Sequence, residues 1–167
     1  MDMRLYLSLR RSNRDMQIDK NRLLKLSIDA FDEDDERIGW RLLAEDLGKD
    51  REAAELIEEY MEVNGVSDRW LWFHAGQCWA YLQDSTSQKR AVYCFKKSIE
   101  PPYDGDSYWY RKATIEYLGN NISSLRDCLV KLNEVDDVDN LIRIVKLMIH
   151  QLEEEGRPNY RKMYESL

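Results

Sequence analysis

The fold is decided by residues 67–102, which read SDRWLWFHAGQCWAYLQDSTSQKRAVYCFKKSIEPP. Apolar and small residues recur in this stretch at helical spacing, first over 70–82 and then over 88–99. The polar residues 83–87 separate the two runs, and the Pro101-Pro102 pair prevents the second helix from continuing. The stretch therefore predicts two helices joined by a polar turn.

The same helical period extends outward in both directions from this stretch. Before the stretch it predicts a helix over about 17–31, a second from the acidic run 32–36 to Gly48, and a third over 50–63. After the stretch it predicts helices over 108–118, 122–133 and 137–155, and a short one around Tyr160 to Tyr164. The helices fall into pairs joined by short turns, at about 33–63, 67–99, 105–133 and 137–165. The offset between pairs, roughly 32–38 residues, is typical of repeat architectures. We therefore expect one all-α domain over 1–167, built from stacked antiparallel helical hairpins.

The pair at 67–99 resembles the tetratricopeptide repeat. That pattern has Trp, Leu, Gly and Tyr on its first helix, then Ala, a large apolar residue and Pro. The corresponding residues here are Trp72, Ala75, Gly76, Trp79, Ala91, Phe95, Ser98 and Pro102. The turn after Leu82 is about three residues longer than in the family. The flanking pairs carry parts of the pattern, at Trp40, Leu43, Ala44, Leu47, Ala53 and Ile57, and at Tyr110, Ala113, Tyr117, Ser124 and Cys128.

The resemblance implies a right-handed α-solenoid whose concave face binds a partner. The first helix of each pair would line that face. In this chain the lining positions are Ile38, Arg41, Glu45, Trp70, Phe73, Gln77, Tyr108, Arg111 and Ile115. The family's Asn-and-Lys clamp for C-terminal carboxylates is not reproduced, so a ligand of that type is not expected.

Aromatic residues are concentrated between Trp70 and Tyr117. A helix does not bury Trp70, Trp72 and Phe73 on one side, because they span about 300° of the helical wheel. The same holds for residues 108–110. We expect Trp70 and Tyr108 to take part in an interface, since aromatic residues are enriched there. The alternative is that they fill contacts between repeats, as the repeat frame implies for Trp72.

Four glutamates share one face of the predicted helix 50–63: Glu52, Glu55, Glu59 and Glu62. Like charges at this spacing mildly destabilise a helix unless a cationic partner arrives. With the acidic run 32–36 nearby in sequence, this face could meet a basic protein. The alternative is a solvated outer face.

The formal net charge of −7 at pH 7 disfavours duplex nucleic acid and anionic membranes as partners. Residues 1–9 do not form the apolar core of a signal peptide, and no apolar run reaches transmembrane length. The three cysteines are odd in number and form no CxxC motif, which is typical of reduced thiols in a cytoplasmic protein.

Catalytic patterns are sparse in the sequence. His74 and Cys78 have a spacing that can ligate a metal, but no second pair completes four ligands, so we predict no metal and no cofactor. The pairs Arg69 with His74 and Arg143 with His150 loosely resemble the arginine–histidine motif of HEPN ribonucleases. The polar residue that usually follows the arginine is missing. We predict no catalytic residues.

We therefore expect a protein that binds another protein and is not an enzyme. Size, acidity and architecture favour an immunity protein that neutralises a basic toxin by stoichiometric binding. A secretion chaperone of the tetratricopeptide type and a HEPN-like ribonuclease remain as alternatives. The predicted partner-binding residues are Arg41, Glu45, Glu52, Glu55, Glu59, Glu62, Trp70, Phe73, Gln77, Tyr108 and Arg111. The sequence does not identify the partner or the oligomeric state.

Overall fold

The computed structural model describes residues 19–32 and 36–167, apart from the side chains of residues 36, 37, 40 and 44. Throughout these residues the regular structure is helical, which confirms the predicted all-α fold. The helices are α1 (Lys20–Asp32), α2 (Glu36–Arg41) with a π-helical continuation (Leu42–Leu47), α3 (Arg51–Asn64), α4 (Arg69–Leu82), α5 (Ser85–Ser98), α6 (Tyr108–Leu118), α7 (Ile122–Leu132), α8 (Asp139–Glu155) and α9 (Tyr160–Glu165).

The chain divides into two compact units, Met1–Gly48 and Lys49–Leu167. In the first unit, α1 packs on α2 and on the π-helical segment, and its buried side chains include Leu23, Leu24 and Leu26. Most of the acidic run 32–36 lies outside the described residues. The prediction of a single domain over 1–167 stays a prediction.

The second unit is a series of helical hairpins. Each helix from α3 to α8 packs on the next one along the chain, and α6 also packs on α8. Because the connections are short, neighbouring helices run antiparallel. The terminal helix α9 departs from this order, since it packs on α4 as well as on α8. The hairpins therefore stack as in a helical-repeat solenoid, with the C-terminus returning to an earlier helix.

Short polar side chains set the helix starts in this unit. The carboxylates of Asp50, Asp68 and Asp84 each accept a hydrogen bond from the backbone N–H three residues later, at 2.8–2.9 Å. These bonds satisfy amide groups that lack a partner within the first helical turn. Gly65 closes α3 with a left-handed backbone, φ +62°, as the Asn-Gly pair there predicts.

The turn between α4 and α5 is shorter than predicted. Only Gln83 and Asp84 separate the helices, so the expected polar turn over 83–87, longer than the family's, is wrong. Gln83 ends α4 in the left-handed region and Asp84 caps α5, which lets the helix begin at Ser85. Three of the five residues assigned to a turn are therefore in the helix.

Tight packing of α4 on α5 depends on Gly76. A Cβ atom at Gly76 would lie 2.9 Å from the ring of Phe95, whose side chain is fully buried. Ala75 and Ala91 are also fully buried. Small residues thus allow close approach of the two helices. No helix in the described part of the chain has the length and apolarity needed to cross a membrane.

Candidate protein-binding surfaces

An acidic ridge runs along α3. It consists of Glu52, Glu55, Glu59 and Glu62, all of which are exposed as predicted. The spacing of three or four residues places them on one face, and the ridge is about 15 Å long at 1.5 Å per residue. Within the described part of the chain, Glu55, Glu59 and Glu62 form no ion pair. The charges of Glu55, Glu59 and Glu62 are therefore left to solvent or to a partner.

The fifth glutamate of α3, Glu58, points into the protein. Its carboxylate accepts a 2.6 Å hydrogen bond from the indole of Trp79 and forms an ion pair with Arg90. The Cys94 thiol lies 3.5 Å away. Glu58 therefore joins α3 to α4 and α5. The inward Glu58 is thus neutralised within the protein, whereas the exposed Glu55, Glu59 and Glu62 form no such pair in the described part of the chain.

An exposed apolar residue adjoins the acidic ridge. Val63 is 75% exposed and lies one helical turn after Glu59 on the same side of α3. Val66, just beyond the helix end, is also exposed. Protein interfaces commonly combine accessible apolar side chains with polar or charged ones around them.

The predicted groove on α4 is filled by the chain itself. Phe73 and Gln77 are each only 8% exposed. The amide of Gln77 donates a 3.2 Å hydrogen bond to the hydroxyl of Tyr160 in α9. These two side chains are therefore not accessible to a partner in this structure, contrary to the expected open groove. Helical periodicity in the sequence predicted the helix α9, but it did not predict that α9 packs on α4.

Arg111 is likewise internal, at 1% exposure. Its guanidinium lies 4.8 Å from the ring centroids of Trp70 and Phe73 and 5.0 Å from that of Tyr103. It donates hydrogen bonds to the carbonyls of Ser98 at 3.0 Å and Arg69 at 3.4 Å. Burial lowers the pKa of this guanidinium. Arg111 therefore holds α4, α5 and α6 together and is not available to line a binding surface.

The two aromatic residues proposed for an interface are half-buried. Trp70 packs against Arg111, and Tyr108 lies 6.2 Å from Tyr103 and 5.1 Å from Trp109, measured between ring centroids. The contact of Trp70 in α4 with Arg111 in α6 agrees with the alternative of packing between hairpins, whereas Tyr108 contacts its own helix and the preceding loop. Their part in an interface stays a prediction. Trp72 is also half-buried, with its indole donating to Ser67 at 2.9 Å.

Two further predicted residues lie in the first unit. Arg41 and Glu45 are exposed, and they pair with each other at 3.4 Å across one turn. The structure thus presents both side chains to solvent.

The residues of the catalytic alternatives differ in accessibility. His74 and Cys78 are fully buried within α4. Arg69 donates to the backbone carbonyl of Glu100 at 3.0 Å. Arg143 and His150, in contrast, are both exposed on α8. Over the described residues, no group of three or more His, Cys, Asp or Glu side chains is arranged to hold a metal ion.

A cleft of about 410 Å³ is lined by α6 and α7. Its cations, Lys112 and Lys131, are interspersed with the acids Glu116 and Asp127, and the buried Cys128 lies at its wall. This mixed lining favours neither sign of charge. The cleft therefore defines no ligand chemistry, and the acidic ridge is the clearest accessible feature of the second unit.

Comparison of the chain with models of known protein families, with curated proteins and with solved structures gives no match. The class that the structure defines is thus an all-α protein of stacked helical hairpins. Its resemblance to the tetratricopeptide repeat stays a prediction.

Proposed function

We propose that this protein binds a basic protein partner through the acidic ridge on α3, and that it acts as an immunity protein neutralising a toxin. The observation that carries the proposal is the arrangement of glutamates on α3. The inward Glu58 is paired with Arg90, whereas Glu55, Glu59 and Glu62 are exposed. A cationic partner would relieve the repulsion between these carboxylates.

The ridge favours rapid and selective association. Neighbouring carboxylates of the ridge lie about one helical turn apart, closer than the Debye length of ~8 Å at physiological ionic strength, so the fields of neighbours add. Such a field steers a basic protein and raises the association rate. The exposed Val63 beside the ridge would add apolar contact. We also infer a cytoplasmic location, supported by the burial of all three cysteine side chains.

Charge reversal tests the ridge. The partner would first be captured with the tagged full chain and identified by mass spectrometry. We expect the double variant Glu55→Lys/Glu59→Lys to bind it at least tenfold more weakly, with most of the loss in association rate and a reduced salt dependence. Binding would be measured by surface plasmon resonance at two salt concentrations.

A matched control separates the ridge from net charge. Glu154→Lys/Asp127→Lys makes the same change in net charge at exposed positions of α8 and α7. We expect this control to bind nearly as tightly as the unsubstituted chain. Equal affinity losses for the two variants, or no loss for either, would show that the ridge is not the binding site.

The immunity role is tested separately in cells. Expression of the captured partner should arrest growth, and co-expression of this chain should restore it by forming a stoichiometric, inactive complex. A partner that stays fully active in the complex would contradict neutralisation. It would favour the secretion chaperone, which holds a client in its groove without blocking activity.

The ribonuclease alternative depends on one observation, the exposed pair Arg143 and His150. These residues lie seven apart on α8, nearly two turns, and so share a face. If the alternative were correct, purified chain would cleave RNA, and Arg143→Ala/His150→Ala would abolish the cleavage. We expect RNA to remain intact in both samples.

A further inference from the structure

A second charged surface lies on α5. Its members are four cations, which form a basic strip: Lys89, Arg90, Lys96 and Lys97. At about 100° per residue they span about 120° of the helical wheel, so they share one face of the helix. Tyr93 lies within the strip and is 42% exposed, with its ring 5.8 Å from that of Trp72 between centroids. A chain of net charge −7 thus carries a concentrated basic and aromatic face as well as the acidic ridge.

Two of the four cations in the basic strip are paired within the chain. These ion pairs are Arg90 with Glu58 and Lys97 with Glu100. In the part of the chain that the structure describes, Lys89 and Lys96 are exposed and form no ion pair. Their charges, like those of Glu55, Glu59 and Glu62 on the ridge, are therefore available to a partner of opposite charge.

The acidic ridge and the basic strip lie side by side. Both α3 and α5 pack antiparallel on α4, so they are parallel to each other, and the Glu58–Arg90 ion pair joins them. Around α3, the ridge lies to one side of Glu58 and the fully buried Ile57 to the other. Around α5, the strip lies to one side of Arg90 and the fully buried Ala91 to the other. These rotational senses are opposite on the two helices, so both charged faces turn toward the same outer surface.

Two parallel strips of opposite charge form a surface that is complementary to itself. A two-fold axis in this surface, parallel to the helices and between α3 and α5, places the ridge of one copy against the strip of the other, and the reverse. Such an isologous contact closes on itself, and two-fold dimers are the commonest soluble oligomers. We propose that this surface mediates a two-fold symmetric dimer, in which α3 of each copy packs on α5 of the other.

The positions of the charges along the helices agree with this symmetry. A rotation about an axis parallel to the helices leaves the level of each residue along them unchanged. The paired Glu58 and Arg90 mark a common level, beyond which Glu62 lies about 6 Å and Lys96 about 9 Å further along, at about 1.5 Å per residue. The oppositely charged residues at matching levels are Glu59 with Lys89 and Glu62 with Lys96.

Apolar contact accompanies these charges. Val63 is 75% exposed, and it lies about 7.5 Å past Glu58, close to the level of Tyr93, about 4.5 Å past Arg90. The symmetry therefore brings an exposed valine of one copy toward an exposed tyrosine ring of the other. This contact matters because exposed ion pairs alone contribute little to stability.

A second copy fits the basic strip better than a nucleic acid does. Phosphates along the strip would be repelled by the carboxylates of the neighbouring ridge. A second copy instead presents carboxylates to the strip and ammonium groups to the ridge. The dimer goes beyond the proposed function and does not require the toxin, but it uses the same ridge, so each ridge holds either a second copy or a basic protein.

Charge reversal on either helix tests the dimer. Sedimentation velocity of the full-length chain over a range of concentrations should show a reversible dimer that high salt weakens. Glu59→Lys/Glu62→Lys makes the ridge basic, and Lys89→Glu/Lys96→Glu makes the strip acidic. Each variant alone would place like charges together, so we expect each to dimerise at least tenfold more weakly than the unsubstituted chain.

Mixing the two variants restores complementarity. Every contact in the mixed dimer joins a basic face to an acidic one, so we expect a 1:1 complex at least as tight as the original dimer. Each variant changes the net charge of −7 by four units, and both remain negative. Attraction between net charges therefore does not explain such a complex.

A matched control shows whether the strip itself is responsible. Arg143→Glu/Lys146→Glu makes the same change in net charge at exposed positions of α8. We expect this control to dimerise like the unsubstituted chain and to form no 1:1 complex with the ridge variant. Circular dichroism reports whether each variant is folded.

Two results would overturn the dimer. One is an unsubstituted chain that stays monomeric at every concentration, even if its α5 strip binds an oligonucleotide. The other is a mixture of the two folded variants that forms no complex. Neither result touches the proposed function, which is judged by the affinity of the captured basic partner. Lys89→Glu/Lys96→Glu should still bind that partner, because its ridge is intact.

Discussion

At the scale of single residues, the burial of Arg111 is the least expected feature. A guanidinium removed from water loses hydration energy, which must be offset by its new contacts. Three aromatic rings within 5.0 Å and two carbonyl acceptors supply these contacts. Cation–π contacts of a desolvated cation contribute about 2 kcal/mol. Arg111 therefore stabilises the junction of α4, α5 and α6.

We expect Arg111→Ala to lower the free energy of unfolding by about 2–4 kcal/mol, because it leaves a cavity and removes the donor from the buried Ser98 carbonyl. Arg111→Lys should cost less, since the charge remains but the planar stacking is lost. Urea unfolding followed by circular dichroism measures both. The control is Arg126→Ala, an exposed arginine paired with Glu153, expected to cost about 1 kcal/mol or less. Equal costs for Arg111→Ala and Arg126→Ala would refute the stabilising role.

At the scale of helices, the close approach of α4 and α5 depends on one missing side chain. Phe95 packs over Gly76, and its ring is also held between Phe73, at 5.5 Å, and Tyr160, at 6.4 Å, between ring centroids. The ring therefore has little room to move away from an added methyl group. The same contacts connect the α4–α5 hairpin to α9.

We expect Gly76→Ala to destabilise the protein by about 1–3 kcal/mol through overpacking, although alanine is intrinsically the better helix former by about 1 kcal/mol. Gly119→Ala is the matched control, because its backbone φ is −78° and an added Cβ meets only ordinary contacts at 3.5 Å. Thermal unfolding should show a lower Tm for Gly76→Ala alone. Replacing Phe95 by leucine in the Gly76→Ala background should recover part of the loss. A Gly76→Ala variant as stable as Gly119→Ala would contradict the packing.

At the scale of the whole molecule, all three cysteines lie in one of the two compact units, so their reactivity measures the opening of that unit alone. Cys78, Cys94 and Cys128 all lie in Lys49–Leu167, and all are buried. Burial raises the pKa of Cys128 to about 11. The pKa of Cys94 is also raised, mainly by burial and secondly by the negative charge of the nearby Glu58 carboxylate. Only the thiolate is nucleophilic, so Cys94 and Cys128 are protected both by their burial and by their raised pKa, and Cys78 is protected by its burial.

We therefore expect a thiol-reactive dye at pH 8 to label none of the three cysteines within minutes under native conditions, and all three in denaturant. Mass spectrometry after proteolysis would assign the labelled positions. The denaturant midpoint for labelling should match the loss of helicity in this unit. Rapid native labelling of Cys128 would instead show that the cleft between α6 and α7 opens to solvent.

The sequence alone determined the helices and most of their ends. Their periodicity, the Asn-Gly stop after α3 and the two prolines after α5 act within a few residues, so they are readable along the chain. The small residue at Gly76 was also predictable from the hairpin pattern. The grouping of four glutamates on one face of α3 was predictable from their spacing, because Glu52, Glu55, Glu59 and Glu62 share one side of any helix.

Only the tertiary structure decided which of the remaining candidates are accessible. The docking of α9 on α4 brings Tyr160 onto Gln77, 83 positions away in sequence. Phe73 is covered by the rings of Phe95 and Tyr110 and by the guanidinium of Arg111. Arg111 is interior because three rings from other segments surround it. Helical periodicity states which residues share a face, but packing between distant segments determines what covers that face. For this reason the helical-hairpin fold was predictable, whereas the open groove was not.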